Sequence, residues 1–346
     1  MRNKYTALLN QLKLSDTPEP VNRNDRVLII DGLNTFIRAY AVSPALNTNG
    51  EHVGGITGFL MSIGSAIKQI NPSRVVIVFD GKDGSAKRKK LFPDYKANRK
   101  FKIRLNRAIS VTAEDTQLKQ LMMLIDYLEL LPITMMTLDN AEADDIIAYL
   151  ANEYFVPKES QVFIMSSDKD FLQLASSQIH IWSPTKKKMY FVDDVYSEYQ
   201  IHPKNLSVFR ALVGDNSDNI PGAKGLAPKT IIKRFPKLVE EKEMSLDDFF
   251  AYAKELGKDS KIKVYKNVTD GEKDVRLYHK IMQLHESTLI STSTKQRAVN
   301  LAQEPNKKLA KMAFHQMLLQ DGMTGSMRNV EMWLRDVCTK LDQFAE

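Results

Sequence analysis

The residues with the clearest chemical meaning in this sequence are acids that follow short apolar runs. Nine carboxylates brought to one place would each raise the pKa of their neighbours unless cations lay between them. Hard divalent cations relieve that repulsion, and Mg²⁺ in particular binds through a few carboxylates together with water and phosphate oxygens. The pattern therefore predicts a metal site. Its candidate ligands are Asp31, Asp80, Glu142, Asp144, Asp145, Asp168, Asp170, Asp215 and Asp218.

The elements that would position these acids alternate between strands and helices. Buried-strand patterns at 27–30 and 75–79 flank a helical pattern at 54–70, which is the spacing of a right-handed βαβ unit in a parallel sheet. Asp31 and Asp80 then lie at strand carboxyl ends, the edge where open α/β sheets bind ligands. Further helices are predicted at 115–131 and 145–154, with strands at 132–136, 162–165 and 179–182.

Composition divides the 346-residue chain into four segments. Residues 1–25 have an amphipathic start and then prolines, which is typical of an appendage and linker. Residues 26–199 hold the α/β pattern, and residues 200–257 change to helices with Gly and Pro turns. Residues 258–346 are predicted to be mainly helical, with a polar break around 292–308.

Positive charge is concentrated in one segment, residues 82–107, where eleven Lys or Arg and two Asp give +9 while the rest of the chain carries −2. Such a local excess favours contact with a polyanion such as a nucleic-acid backbone, although a solvated basic face is the alternative. Tyr95 offers a stacking surface for an unpaired base. Lys96 and Arg99 are one helical turn apart and could reach the same phosphate. Further candidates for strand contact are Lys87, Lys89 and Lys90.

A second candidate for nucleic-acid binding is the glycine-rich segment 214–230. Gly222 and Gly225 permit a tight turn whose backbone N–H groups, with the N-terminus of a following helix, would face a phosphate. Lys224, Lys229 and Thr230 would support contact with a duplex backbone, without reading bases. An ordinary packing loop between two helices is the structural alternative.

Simpler explanations exist for each acid alone, because Asp after a strand often begins a turn and the pair Asp139 and Glu142 fits a capping box. Recurrence at the ends of several strands favours the metal site. A haloacid-dehalogenase-type phosphatase needs Asp where Leu33 stands, and no P-loop or H-E-x-x-H motif is present. Cys338 is the only cysteine, which excludes an internal disulfide and favours a reducing, cytoplasmic setting, and no apolar run predicts a leader or a membrane span.

Six segments together resemble the 5′ nuclease superfamily of flap endonucleases and polymerase I 5′-3′ exonucleases, over roughly residues 26–235. The turn at 182–184 followed by three lysines makes the chain most similar to the stand-alone ribonuclease H type of large tailed phages. The segments are Ile30-Asp-Gly32, Phe79-Asp-Gly81, Asp94-Tyr-Lys-Ala-Asn-Arg99, Glu142-Ala-Asp-Asp145, Ser167-Asp-Lys-Asp170 and Gly214-Asp-Asn-Ser-Asp-Asn-Ile-Pro-Gly222.

The resemblance implies a PIN-like parallel-sheet nuclease core with a helical arch at about 82–115, and a helix-hairpin-helix subdomain at 200–257. It assigns the seven common metal ligands, leaves Asp145 and Asp218 as the additional acids of bacterial and phage members, and gives Lys96 and Arg99 contact with the scissile phosphate. Arg88 is a further match to the basic residues of the arch. Ala227 replaces a glycine of the hairpin. The resemblance therefore leaves open whether this chain binds the potassium ion that is often found there.

The activity implied is a structure-specific 5′-3′ exonuclease and flap endonuclease with ribonuclease H activity, acting on DNA and RNA–DNA hybrids. Two Mg²⁺ ions, replaceable by Mn²⁺, would serve hydrolysis as in other two-metal sites. The implied setting is primer and flap removal in replication by a monomer, with a sliding clamp or single-strand-binding protein as candidate partners. The rival interpretations are a branched-DNA-binding module without catalysis and an RNA-cleaving PIN-domain ribonuclease.

Overall fold

A computed structural model describes residues 10–14, 19–98, 113–327 and 329–345. Six strands form a single sheet: β1 Arg26–Asp31, β2 Arg74–Asp80, β3 Thr134–Leu138, β4 Gln161–Met165, β5 Ile179–Ser183 and β6 Lys188–Tyr190. The helices of the first half are α1 Gly32–Val42, α2 Gly54–Ile70, α3 Ala86–Leu91, α4 Ala113–Glu129, α5 Ala143–Tyr149 and α6 Val192–Tyr199. Those of the second half are α7 Pro203–Val213, α8 Pro228–Arg234, α9 Leu246–Gly257, α10 Lys263–Asp270, α11 Glu272–Met282, α12 Thr292–Gln303, α13 Lys311–Gln320 and α14 Val330–Gln343.

The sheet has the strand order β3-β2-β1-β4-β5-β6, and the first five strands are parallel. Strand β6 is antiparallel to β5. Strand order reverses between β1 and β4, because the chain builds outward from β1 in one direction and from β4 in the other. Ligands of open α/β sheets bind at such a switch point, outside the strand carboxyl ends. The predicted parallel sheet is confirmed, with Asp31 and Asp80 as the last residues of β1 and β2.

Both faces of the sheet are covered, which explains why β1 and β2 are continuous apolar runs rather than alternating ones. Val27 and Ile29 of β1 face one core, together with α5, α7 and α9 to α12. Leu28 and Ile30 face the other core, together with α1, α2, α4, α13 and α14. Successive residues of one strand thus serve opposite layers.

The C-terminal region is helical, but the predicted polar break at 292–308 is wrong for most of its length, since α12 spans Thr292–Gln303. Its sequence is polar except at a few positions, and Ala298 and Ala302, one helical turn apart, are fully buried. These two small residues, together with the partly buried Val299 and Leu301, pack the helix and leave little periodic signal in the sequence. The Ser291 hydroxyl caps the helix by accepting from the backbone N–H of Thr294 at 3.1 Å.

The first described segment, residues 10–14, is a helical turn against the sheet. The Asn10 side chain donates to the Met189 carbonyl of β6 at 2.9 Å, and Leu14 is buried. Among the described residues, no helix combines the length and the apolar character that crossing a bilayer requires.

Candidate active site

Asp31 and Asp168 lie on the two sides of the switch point. Asp31 caps α1, since one carboxylate oxygen accepts from the backbone N–H of Asn34 at 3.1 Å. Its other oxygen accepts from the Ser166 hydroxyl at 3.0 Å, and that hydroxyl also accepts from the backbone N–H of Asp168. Ser166 therefore holds the ends of β1 and β4 together. Asp31 both caps a helix and lies among the converging acids.

Asp80 and Asp168 each bind the start of an element that carries further acids. One Asp80 oxygen accepts from the backbone N–H of Ala143 at 2.8 Å, which ties the end of β2 to the first turn of α5. Asp168 caps the 3₁₀ turn Lys169–Leu174 by accepting from the backbone N–H of Asp170 at 2.9 Å. These bonds bring the carboxylates of α5 and of the 3₁₀ turn to the same sheet edge.

The first group of carboxylates consists of Asp31, Asp80, Glu142, Asp144 and Asp168. Burial raises the pKa of Asp31 to about 7, and the negative charges of Asp80 and Asp168 act in the same direction. Burial also raises the pKa of Asp144 well above its usual range, with further contributions from Asp31 and Asp168. These carboxylates are therefore close enough to repel one another, as the sequence predicts.

The second group consists of Asp168, Asp170, Asp215 and Asp218, so Asp168 belongs to both groups. Burial raises the pKa of Asp170 to about 7, and the charges of Asp168, Asp215 and Asp218 add to the effect. Burial of Asp215 acts in the same direction, but hydrogen bonds from Ser217 and the charge of Arg210 outweigh it and lower the pKa of Asp215. The second group draws its acids from the segment that follows β4 and from the loop after α7.

The donors of both groups suit hard divalent cations, because all of them are carboxylate oxygens and their mutual repulsion favours a cation between them. As they stand, no three Asp, Glu, His or Cys side chains among the described residues are arranged to hold an ion. Lysine and arginine side chains instead contact several of the acids directly.

Lys96 contacts the predicted metal ligand Glu142. Its ammonium nitrogen lies 2.8 Å from a Glu142 oxygen, and the backbone of Lys96 has a positive φ of 56° in a turn. The predicted one-turn helical spacing from Arg99 is not tested, since Arg99 lies outside the described residues. The Tyr95 hydroxyl donates to the other Glu142 oxygen at 3.1 Å. Tyr95 is 3% exposed, so its predicted role as a base-stacking surface is wrong: the ring is part of the core.

Arg88 and Asp145 bind each other. Two guanidinium nitrogens of Arg88 donate to the two Asp145 oxygens at 2.6 and 2.8 Å, and one of them also lies 2.8 Å from Glu142. Nε of Arg88 donates to the Ile281 carbonyl at the end of α11. The structure thus departs from both predictions: Asp145 is a partner of Arg88 rather than of the strand-end acids, and Arg88 is buried rather than facing a phosphate. Arg88 is the only buried residue of α3, and its side chain contacts the acids at the start of α5.

Of the other predicted basic contacts, Lys89 and Lys90 are exposed on α3, while the Lys87 ammonium donates to the Leu289 carbonyl at 2.7 Å. The turn that follows, residues 93–98, is bound to the loop 215–220. The Lys96 backbone N–H donates to the Asp218 carbonyl, and the Asn98 side chain donates to the Asn216 carbonyl at 2.7 Å. The start of the basic segment therefore contacts the loop that carries Asp215 and Asp218.

The predicted glycine hairpin joins α7 to α8. Gly222 and Gly225 have φ values of 69° and 78°, a conformation that glycine adopts at low cost. A Cβ on Gly222 would lie 2.5 Å from the Val213 backbone, so only glycine fits. Lys224 and Lys229 are exposed, and Thr230 is half-buried in the first turn of α8. The hairpin leaves these side chains available to a phosphate backbone.

Several residues of the site were not singled out from the sequence. Ser166 lies two residues before the predicted acid Asp168, so its bond to Asp31 could have been anticipated from the pairing of β1 with β4. Arg210 contacts both Asp170 and Asp215, and its position in the last turn before Gly214 was an available signal. Asn98 and Asn219 lie in segments that carry the resemblance, but their hydrogen bonds could not be predicted, because their partners are backbone carbonyls of distant loops.

Comparison with known proteins assigns this chain to a family. Residues 26–200 match the family described as "5′-3′ exonuclease, N-terminal resolvase-like domain". The chain belongs to this 5′-3′ exonuclease family. A 5′-3′ exonuclease of Aquifex aeolicus is 35% identical over 60% of this chain and 68% of its own length. The flap endonuclease Xni of Shewanella loihica is 30% identical over 78% of this chain and 94% of its own length.

Among solved structures, the fold of this chain is similar to that of the bacteriophage T5 D15 flap endonuclease, which was determined with DNA and metal ions. The TM-score is 0.59 at 18% identity, and the match covers 86% of this chain and 99% of that one. The predicted 5′ nuclease fold is thus confirmed, and the family model and relatives above show that the protein is a 5′ nuclease. Of the helical arch predicted at about 82–115, residues 99–112 lie outside the described residues.

Proposed function

We propose that this 5′ nuclease hydrolyses phosphodiester bonds at the 5′ ends and 5′ flaps of duplex junctions, and also the RNA strand of RNA–DNA hybrids, with Mg²⁺ as its cofactor. The observation that carries the proposal is the presence of two carboxylate groups that share Asp168 at the switch point of the sheet. Paired divalent cations are the usual occupants of such sites in phosphodiester hydrolysis.

The first ion would be held by Asp31, Asp80, Asp144 and Asp168, with Glu142 beside it. The second would be held by Asp170, Asp215 and Asp218. When bound, such ions supply Lewis acidity and neutralise charge on the phosphate. Mn²⁺ has similar oxygen preferences and is the natural substitute.

The protein itself would bind and orient the nucleic acid. The Lys96 ammonium lies at the Glu142 carboxylate, at the edge of the first group, so a phosphate brought to that group would meet a positive charge. Tyr95 and Arg88 fix Glu142 from its buried side. The hairpin with Lys224 and Lys229 presents backbone N–H groups and positive charge to a duplex, without selecting bases.

The names of similar proteins support this substrate class, since relatives are called flap endonuclease and 5′-3′ exonuclease, and the T5 enzyme was solved with DNA. We propose primer and flap removal during replication as the setting, by a monomer in the cytoplasm, with a sliding clamp or a single-strand-binding protein as partners. A potassium ion at the hairpin would have to bind with Ala227, the N-cap residue of α8, at the position of the usual glycine.

The decisive experiment removes the acids that both groups depend on. In Asp168→Asn combined with Asp170→Asn, we expect cleavage of a 5′-flap substrate with Mg²⁺ to fall by at least about a thousandfold, because removing the groups that hold the ions removes most of the charge stabilisation. Binding to the same junction in Ca²⁺ or chelator should change by less than about threefold, since the hairpin is intact. Asp193→Asn combined with Asp247→Asn changes two exposed carboxylates and is the matched control.

Product mapping on 5′-labelled and 3′-labelled flap, nick and hybrid substrates then reports polarity and strand preference. A wild-type protein that binds flaps but does not cut them with Mg²⁺ or Mn²⁺ would favour the branched-DNA-binding module instead. Lys96→Ala should slow cutting more than it weakens duplex binding, and equal losses would remove the role given to Lys96.

A further inference from the structure

Arg210 contacts two carboxylates of the second group, Asp170 and Asp215, which come from different parts of the chain. Its Nε lies 2.9 Å and its Nη2 2.6 Å from the same oxygen of Asp170, and Nη2 also contacts an Asp215 oxygen. Asp170 belongs to the 3₁₀ turn after β4, whereas Asp215 follows α7. The guanidinium therefore lies between two acids that the proposed function assigns to one cation.

The remaining oxygens of the two acids differ in their surroundings. The second Asp215 oxygen accepts from the backbone N–H and the hydroxyl of Ser217 at 2.7 and 2.6 Å. The second Asp170 oxygen accepts no hydrogen bond from any residue in the described part of the chain. A divalent cation can approach Asp170 from that side, but contact with the Asp215 oxygen that Arg210 holds requires the guanidinium to move.

Arg210 is also placed to move. Its side chain is 15% exposed, compared with 4% for Arg88, and both of its ionic partners are themselves partly exposed. A guanidinium stays charged at any accessible pH, so its attraction to the acids cannot be relieved by loss of a proton. Release must come from competition by another cation.

We propose that Arg210 is the resident cation of the second carboxylate group: it holds Asp170 and Asp215 together in the protein free of nucleic acid, and it yields when a divalent ion binds them. The inference rests on the proposed function. Its consequence is that the two ions bind unequally. The first ion meets Asp31, Asp80 and Asp144, which form no salt bridge among the described residues, while the second must displace Arg210.

The test measures Mn²⁺ binding to the full chain without nucleic acid, by calorimetry and by the electron paramagnetic resonance signal of free Mn²⁺. In Arg210→Gln, we expect the second Mn²⁺ to bind at least about tenfold more tightly than in the wild type, because a positive charge beside the site is removed. The first Mn²⁺ should change by no more than about twofold. Arg210→Lys, which keeps the charge, should resemble the wild type. Arg276→Gln is the matched control, since Arg276 also bridges two carboxylates, Asp247 and Glu272.

Thermal unfolding separates this role from a structural one. In chelator, Arg210→Gln should unfold at a lower temperature than the wild type, because Asp170 and Asp215 lose their counter-ion, and saturating Mn²⁺ should close that gap. A gap that persists in Mn²⁺, or a second ion that binds Arg210→Gln no more tightly than the wild type, would overturn the inference while leaving the first site intact. If the wild type binds no Mn²⁺ at all, the proposed function fails and the inference fails with it.

Discussion

Two arginines, Arg88 and Arg210, each join two acids of the predicted metal set, but they differ in how firmly they are fixed. Arg88 uses both ends of its guanidinium on Asp145 and Glu142 and donates through Nε to the end of α11, with almost no exposure. Within the described part of the chain, the side-chain partners of Arg210 are these two acids, Asp170 and Asp215, and its side chain is partly exposed. An arginine is thus the permanent counter-ion of one pair of acids and an exchangeable counter-ion of the other pair.

The difference shows that sequence position does not separate a metal ligand from the partner of a buried arginine. Asp144 and Asp145 are adjacent on α5, yet Asp144 faces the strand-end acids and Asp145 faces Arg88. A buried ion pair is costly to break because one charge is left without its partner. The acids that face Arg88 therefore belong to the framework of the site, and those that face Arg210 belong to its working part.

The largest effect should come from removing the permanent arginine. We expect Arg88→Ala to lower the free energy of unfolding by about 3–5 kcal/mol, because Asp145 and Glu142 would be left buried without their counter-ion. Urea unfolding in chelator measures this loss, and Arg210→Gln under the same conditions should lose clearly less. Equal losses for the two variants would remove the distinction between them.

A double-mutant cycle sharpens the same point. Arg88→Met with Asp145→Leu should recover about 1–3 kcal/mol relative to the sum of the single losses, since residues in direct contact couple by such amounts. Lys96 stays in contact with Glu142 in the double variant and keeps that acid paired. Additive losses would mean that Arg88 acts mainly through Glu142 and Ile281 rather than through Asp145.

The sequence was sufficient to predict the sheet and the positions of the strand-end acids. Asp31 and Asp80 could be placed because parallel strands end at one edge, and Gly222 because its turn admits little else. The roles of Tyr95, Arg88 and Asp145 could not, since an aromatic ring or a basic residue in a charged segment has the same sequence signal whether it faces solvent or an acid. Helix α12 was not predicted because its fully buried residues are only Ala298 and Ala302, while its larger apolar residues Val299 and Leu301 are partly buried in a polar sequence.

The two arginine regions are joined through α7 and α11, and that contact should respond to pH. His279 of α11 contacts the Ser207 hydroxyl of α7 at 3.2 Å, and burial lowers the pKa of His279 to about 4, with the nearby His285 acting in the same direction. The unfolded chain takes up the proton near pH 6.5, so the stability that depends on neutral His279 is complete above that pH and is lost as the pH falls toward 4. We expect a loss of about 1–2 kcal/mol between pH 7 and pH 5, since the side chain is only partly buried. Chemical unfolding at both values checks this.

Burial also lowers the pKa of His180 to about 4, so the part due to His279 is the difference between the pH slopes of the wild type and His279→Gln, which should amount to about 1–2 kcal/mol. His315→Gln, on α13 and outside this contact, should keep the wild-type slope. A slope that stays the same in His279→Gln would assign the pH response to other groups.

The smallest effect concerns the turn 93–98, which is bound to the loop of the exchangeable region. The Asn98 side chain donates to the Asn216 carbonyl and the Asn219 side chain donates to the Asp94 carbonyl, at 2.7 and 2.9 Å. Asn98→Ala and Asn219→Ala should each cost about 0.5–1 kcal/mol in unfolding free energy, the usual net worth of one partly exposed hydrogen bond. Asn300→Ala, on α12, is the matched control.

The functional consequence of that pair should exceed its effect on stability. These bonds set the position of Lys96 relative to Asp218, so the double variant should cut flaps several times more slowly while its binding to the duplex is unchanged. Unchanged cutting in the double variant would mean that the backbone bond from Lys96 to Asp218 is enough to position the lysine, and that the exchangeable region and the basic segment act independently.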